Sequence, residues 1–203
     1  MSGQITFYYN DGKSKWKCDN LTKEYQLMGR DMVRAARHYL DKEKKNATGN
    51  LRKSVGYEYS VDKDNNVLIG FTFDDAGYWQ YVEYGVGGVI KGPENKAPDS
   101  PFQFGTRTGR EGGLRGAIDR WVISKKLPGF RDAKGRFVPR KTQVQRISRK
   151  IYLYGIEPTP FASDSLDSVF TKYRNRLATA WTKDIERFLG DAFDEEITIT
   201  ISL

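Results

Sequence analysis

His38 is the only histidine in the chain, and imidazole is the side chain best suited to proton transfer near neutral pH or to metal binding. Of the carboxylates near it, Asp31 and Asp41 approach its helical face, seven and three residues away, and Glu43 does not. One imidazole with one or two carboxylates is a poor metal set, so His38 reads as a surface or half-buried histidine. Cys18, the only cysteine, follows Trp16 and Lys17 without any partner motif, and a catalytic thiol is not expected there. Gly85-Val86-Gly87-Gly88-Val89 lacks the Gly-Lys-Ser/Thr and the strand–loop–helix setting of a phosphate loop, and reads as plain loop. Asp191, Asp194, Glu195 and Glu196 offer oxygen ligands of the kind a divalent cation takes, but their clustering reads as a solvated helix end. Glu83 lies between Tyr81 and Tyr84 and just before Gly85; with no second carboxylate at a defined spacing, it reads as a hydrogen-bond acceptor that pins the following loop. No catalytic residue, cofactor site or metal site emerges, and the chain is expected not to be an enzyme.

The remaining chemistry is charge. The chain carries 34 Lys/Arg and 26 Asp/Glu, a net +8 at pH 7. From residue 105 to residue 154 there are 14 Lys/Arg against 3 Asp/Glu, a net of +11, so the rest of the chain is slightly acidic. Arg107, Arg110, Arg115, Arg131, Arg136, Arg140, Arg146, Arg149 and Lys150 are the candidate contacts of this segment with a polyanion or an acidic protein. Phe130, Phe137, Tyr152 and Tyr154 are interleaved with them, but no groove-reading motif or single-strand stacking signature accompanies them, so contact at the level of phosphate or protein is expected rather than base readout.

These residues must be positioned by ordinary elements. At 203 residues and 38% hydrophobic, the chain is sized for a single domain, residues 1–203, with an ordered core that needs no disulfide or metal. No run approaches the ~18 apolar residues of a bilayer span, and Met1-Ser2-Gly3-Gln4 shows no signal sequence, so a cytoplasmic protein without membrane contact is expected. Alternation at Gln4–Tyr9 predicts a strand ended by Asn10-Asp11-Gly12. Asn20 caps a helix to about Lys44, with Leu21, Tyr25, Met28, Met32, Ala36, Tyr39 and Leu40 on one face. Val55–Val61 and Val67–Phe73 read as a hairpin, and Tyr78–Tyr84 as a short helical or extended piece. Residues 85–113 hold eight of the 20 glycines and three prolines, which predicts a long loop without regular structure. Residues 114–154 form a basic helical insertion: a short helix with Leu114, Ile118, Trp121, Val122 and Leu127, the break at Pro128-Gly129, and a second helix near Thr142–Tyr154. Thr159-Pro160 opens a helix of about 30 residues whose apolar positions are Leu166, Val169, Phe170, Tyr173, Leu177, Trp181, Ile185, Phe188 and Leu189. Glu196–Leu203 alternates strictly and predicts a terminal strand whose Ile197, Ile199, Ile201 and Leu203 face must pair with a sheet of its own or of a neighbouring subunit.

Three short patterns follow one another in a characteristic order: Thr48-Gly49-Asn50-Leu51-Arg52-Lys53-Ser54, then Tyr81-Val82-Glu83-Tyr84-Gly85, then Gly155-Ile156-Glu157-Pro158-Thr159-Pro160-Phe161. In this order the chain resembles the tail-completion or head-tail joining (neck) family of tailed bacteriophages over about residues 20–193, and the basic helical insertion is similar to one carried by some members. The positions that carry the resemblance, Thr48, Gly49, Leu51, Ser54, Glu83, Gly85, Pro160 and Phe161, are of fold-specifying types: glycines for turns, Leu51 and Ser54 to seat the hairpin entry, Pro160 to start the last helix and Phe161 to pin it. The resemblance implies an α+β subunit, an antiparallel sheet packed by a long N-terminal and a long C-terminal helix, with the helical-hairpin insertion and the Gly-rich loop. It further implies a non-catalytic ring of 6 or 12 copies in the virion, between the DNA-filled head and the tail. Portal, adaptor or tail-tube proteins would be its neighbours, with double-stranded DNA in the channel as a further candidate for the basic segment. The rival expectation is a monomeric DNA-binding or nuclease-like protein that uses the basic segment and the acidic group at 191–196.

Overall fold

The structure, a computed structural model, describes residues 6–8, 15–43, 49–62, 66–74, 77–105 and 113–197. The fold is α+β, with long helices near each end of the chain and small antiparallel two-stranded sheets. The chain gathers into two compact units, each assembled from separated stretches.

Unit 1 takes residues 1–38, 55–74 and 162–203. Strand β1 (Thr6–Tyr8) pairs antiparallel with β2 (Lys15–Lys17), a partner the sequence pattern did not disclose. Helix α1 (Asp19–Lys42) ends within two residues of the expected Lys44, but it starts at Asp19, so Asn20 lies inside its first turn instead of capping it. Sequence patterning also anticipates the hairpin: after α2 (Asn50–Ser54), a five-residue turn of helix, β3 (Val55–Val61) pairs with β4 (Val67–Phe73) in a register that puts Val55 opposite Phe73 and Val61 opposite Val67. The last helix, α6 (Phe161–Ile197), runs 37 residues, about 55 Å at ~1.5 Å each.

Met28 and Met32 of α1 and Val169 and Tyr173 of α6 close the core of this unit over Ile69 and Phe71 of the hairpin, with Tyr25 and Leu177 at its edge. Burying side chains of this size stabilises by about 1.5–3 kcal/mol each relative to exposure. The core face of α6 is not the one its large apolar residues suggest. Ser165, Val169, Tyr173, Ala180 and Asp184 are buried, whereas Leu166, Phe170, Trp181 and Leu189 are exposed. The bulky residues are left on the flank of the helix.

Unit 2 takes residues 39–54 and 75–161. It contains α3 (Trp79–Glu83), the two-residue β5 (Val86–Gly87), α4 (Gly113–Ser124), α5 (Arg140–Tyr154) and the two-residue β6 (Gly155–Ile156). Helices α4 and α5 form the expected hairpin, packed through Ile118, Val122 and Val144, with Leu114, Leu127, Ile147 and Ile151 around them.

Two expectations are corrected. The first concerns the loop, whose residues 85–105 are stitched rather than structureless. β5 pairs antiparallel with β6, and Gly87 also bridges Gln103. Asn95 accepts from the amides of Gly88 (3.0 Å) and Ala97 (3.2 Å) and donates to the carbonyls of Gly88 and Ile90 (both 3.1 Å). The last carbonyls of α5, which no helix can satisfy internally, accept from the loop instead: Tyr152 from Val89 (3.1 Å), Leu153 from Ile90 (3.0 Å) and Tyr154 from Lys96 (2.8 Å). Glycine and proline frequencies register backbone freedom, not the partners that remove it. The second correction is at the C-terminal end, where Glu196 and Ile197 belong to α6 rather than to a strand. The Ala, Asp and Glu residues after Gly190 hold no helix breaker, so the helix continues. The remainder of the expected strand, with Ile199, Ile201 and Leu203, lies outside the described residues.

Candidate functional site

The three patterns behind the resemblance are built as local joints. Gly49 has φ +78°, a conformation costly to any side chain, and its carbonyl accepts the Lys53 amide at 3.0 Å to open α2. Leu51 is buried, and Ser54, also buried, donates through Oγ to the Leu51 carbonyl at 2.9 Å, closing the turn into β3. Thr48 lies outside the described residues.

The second and third patterns meet. The Thr159 amide donates to the Val82 carbonyl at 2.8 Å, and β5 and β6 pair immediately beyond. Gly85, at φ +68°, faces this junction so closely that a Cβ would strike the Ile156 carbonyl oxygen and stand 2.7 Å from the Pro158 nitrogen. Ser100 Oγ donates to the Gly85 carbonyl at 2.8 Å and holds the turn from the other side. Glu83, 3% exposed, is buried in this joint, and Phe161 is fully buried at the start of α6. Helix α6 begins at Phe161, so Pro160 precedes the first helical residue instead of occupying it.

The basic segment is used unevenly. Arg131 lies 3.9 Å over the Phe137 ring and donates to the Gly135 carbonyl at 2.7 Å. Arg136 pairs with Asp132 at 2.9 Å, and Asp132 accepts further from the amides of Lys134 and Arg136, bonds that hold its carboxyl below the usual range. Arg140 pairs with Asp119 at 3.0 Å, and Arg146 lies 5.4 Å from the centre of the Phe130 ring. These four shape the α4–α5 connection. Exposed pairs of this kind contribute little to stability, and salt screens them. Arg115, Arg149 and Lys150 are exposed and have no ion pair among the described residues. Arg107 and Arg110 lie outside them.

Two arrangements escaped the sequence. Asp184 of α6, fully buried, accepts from the amides of Asn20 (3.2 Å) and Leu21 (2.9 Å) and from Asn20 Nδ2 (2.8 Å), so it caps the N-terminus of α1 from another element. A carboxylate in line with Ala180 and Tyr173 on a core stripe was the available signal. Burial, together with the carboxylates of Asp184 and Asp19 and against the pull of Arg187, pushes the neighbouring Cys18 thiol up to about 11. That leaves it protonated and inert. Asp31 of α1 takes Lys172 Nζ (2.8 Å), Tyr173 Oη (3.0 Å) and Arg34 Nη1 (2.7 Å); the Lys172 bond above all holds its carboxyl below the usual range. Asp31 thus serves the α1–α6 contact of unit 1.

Among the described residues no three His, Cys, Asp or Glu side chains come together as metal ligands. No helix among them is long and apolar enough to cross a membrane. The chain matches no family model, curated protein or solved structure.

Proposed function

We propose that the chain is a structural subunit of a tailed-phage virion, non-catalytic, which forms a ring in the neck or at the head-proximal end of the tail and joins the DNA-filled head to the tail. The observation that carries this reading is the junction of the second and third patterns. Residues 81–85 and 155–161, far apart in sequence, interlock through the Thr159–Val82 hydrogen bond and through Gly85 against Ile156 and Pro158, so the resemblance rests on a joint and not on scattered letters. The cations Arg115, Arg149 and Lys150, which have no ion pair among the described residues, suit an acidic neighbour in the neck; a channel wall that gripped DNA along its length would impede passage, because each neutralised phosphate adds affinity. The subunit would be made in the host cytoplasm and incorporated into the particle beside portal, adaptor or tail-tube proteins.

Imaging the neck of purified virions at a resolution that traces the chain tests this reading. The expected result is a closed ring of 6 or 12 copies bearing this sequence. Absence of the chain from the particle would overturn it and turn attention to the DNA-binding rival, with a nuclease assay in the presence and absence of divalent metal.

A further inference from the structure

β3 and β4 form a two-stranded sheet, and among the described residues no third strand joins it. Its two edges are not alike. The Asp62 amide donates to the Asn66 carbonyl at 3.1 Å, which fixes the phase of the ladder: Leu68, Gly70 and Thr72 bond to β3, and Val67, Ile69 and Phe71 turn their amides and carbonyls to the far side. No described residue bonds to those groups. On the opposite edge of the sheet the Arg37 guanidinium donates to the Val55 carbonyl at 2.9 Å, so β3 is stopped where β4 is open. β4 runs seven residues without a charge or a proline, the devices that ordinarily keep an edge strand from pairing. Its core-facing side chains are also incompletely covered. Ile69 and Phe71 pack against Met28, Met32, Val169 and Tyr173 yet stay half-buried, whereas Tyr59, directly across from Ile69, is 7% exposed.

We propose that the open edge of β4 takes residues 198–203 of a second copy as an added strand. The sequence after α6 reads Thr-Ile-Thr-Ile-Ser-Leu. Antiparallel addition puts Ile199, Ile201 and Leu203 opposite Phe71, Ile69 and Val67, exchanges hydrogen bonds at each of these pairs, and lays three apolar side chains over the half-buried rim of the core. Thr198, Thr200 and Ser202 then join Leu68, Gly70 and Thr72 on the outer face of the sheet. Reach decides which copy donates. Leu177 of α6 and Val67 at the near end of β4 pack against the same pair, Cys18 and Leu21, and the rest of the hairpin lies toward Val169. Ile197 ends the helix 20 residues past Leu177, about 30 Å away, while six extended residues span about 20 Å. The tail of a subunit therefore falls short of its own β4. The contact is head-to-tail, one donor and one acceptor per copy, an arrangement that closes into a ring or runs on as a filament. It supplies a subunit contact for the ring proposed above, but it follows from the sheet and the helix alone and does not depend on the neck reading.

The test uses full-length chains. Ile201→Pro removes an amide from the tail and should leave a copy that accepts a strand but cannot donate one. When the ¹⁵N-labelled Ile201→Pro chain is titrated with unlabelled parent, amide hydrogen exchange in β4 should slow in alternation: by about tenfold or more at Val67, Ile69 and Phe71, and much less at Leu68, Gly70 and Thr72, which already bond to β3. Unlabelled Ile201→Pro should produce no slowing, and unlabelled Ile201→Val should donate as the parent does. By light scattering the parent should grow in mass with concentration while the Ile201→Pro chain stays monomeric. Exchange at the three amides that stays unchanged at about millimolar parent, or slowing without the alternation, would overturn the added strand. Protection of the same amides in the parent that does not vary with its concentration would mark a chain paired with its own tail, and would overturn the second copy. These readings are taken on purified chain, so they stand or fall apart from whether the chain occurs in virions.

Discussion

Asp184 shows how much one buried carboxylate can carry. It faces two orphan amides at the start of α1 and the Asn20 side chain, and Arg187, which pairs with Asp19 at 3.0 Å and donates to the Lys17 carbonyl, stands beside it. Asp184→Ala leaves those amides buried without an acceptor, and should cost roughly 2–4 kcal/mol, lowering the thermal midpoint by about 5–10 °C. Asp184→Asn keeps one acceptor and should cost about half as much; calorimetry of the pair measures the difference, and a loss under about 0.5 kcal/mol for the alanine variant would remove the cap from the account. The neighbouring thiol makes a separate prediction from the same corner. Cys18 ionises later in the folded chain than in the unfolded one, so its contribution to stability is complete below pH 9 and is lost as pH rises through about 11. Denaturant titrations of the parent and of Cys18→Ala should therefore diverge in slope against pH across that window, and a disulfide-exchange reagent at pH 8 should label the parent only as fast as it unfolds. Labelling at the rate of a free thiol would contradict the burial. Asp31 runs the other way: its lowered carboxyl contributes above the usual aspartate range and is lost as pH falls through its folded value.

At the scale of elements, local pattern carried the reading and nonlocal pairing did not. The spacing of Met28, Met32 and Ala36 disclosed the buried face of α1, and the β-branched and aromatic runs disclosed β3 and β4, because period and residue type are local properties. Helix α6 was legible as a helix but not in its facing: the stripe of Leu166, Phe170 and Trp181 is apolar by type, yet the core selected Ser165, Ala180 and Asp184. The β5–β6 pair, two residues on each side and about 70 positions apart in sequence, leaves no periodic trace. Gly85 is where sequence and structure coincide most closely, and it yields a test. Gly85→Ala must hold alanine at φ +68° and drive its Cβ into backbone atoms of Ile156 and Pro158, neither of which can rotate away. The expected cost is about 2 kcal/mol or more, against near neutrality at an ordinary exposed loop glycine. Amide hydrogen exchange at Val89, Ile90 and Lys96, whose N–H groups cap α5, should rise together with it. Unchanged protection there would show that the junction is held by something other than the close approach at Gly85.

For the whole molecule, the proposed ring makes two demands that separate from each other. The first falls on Ile199, Ile201 and Leu203, which alternate with polar residues in the sequence. If they add to a neighbour's sheet edge, removing residues 198–203 should abolish ring formation while leaving the midpoint of the isolated subunit unchanged. Light scattering of the truncated chain reads this directly, and rings formed at the parent's concentration would exclude the tail as the joint. The second demand falls on the basic hairpin. Reversing Arg146, Arg149 and Lys150 to Glu removes two units of charge at each position and takes the net from +8 to +2. All three are exposed, and the change breaks the stacking of Arg146 over Phe130, worth under about 1 kcal/mol at an exposed site. The variant should therefore fold, with a midpoint within about 4 °C of the parent. Its ring should form, because Ile199, Ile201 and Leu203 are untouched by the change, but docking onto an acidic neighbour in the neck should fail, and particles assembled with it should lack the tail. Parent docking should weaken steeply as salt rises while ring formation does not, since only the docking is carried by exposed charge. A variant that docks normally would take the basic hairpin out of the assembly interface.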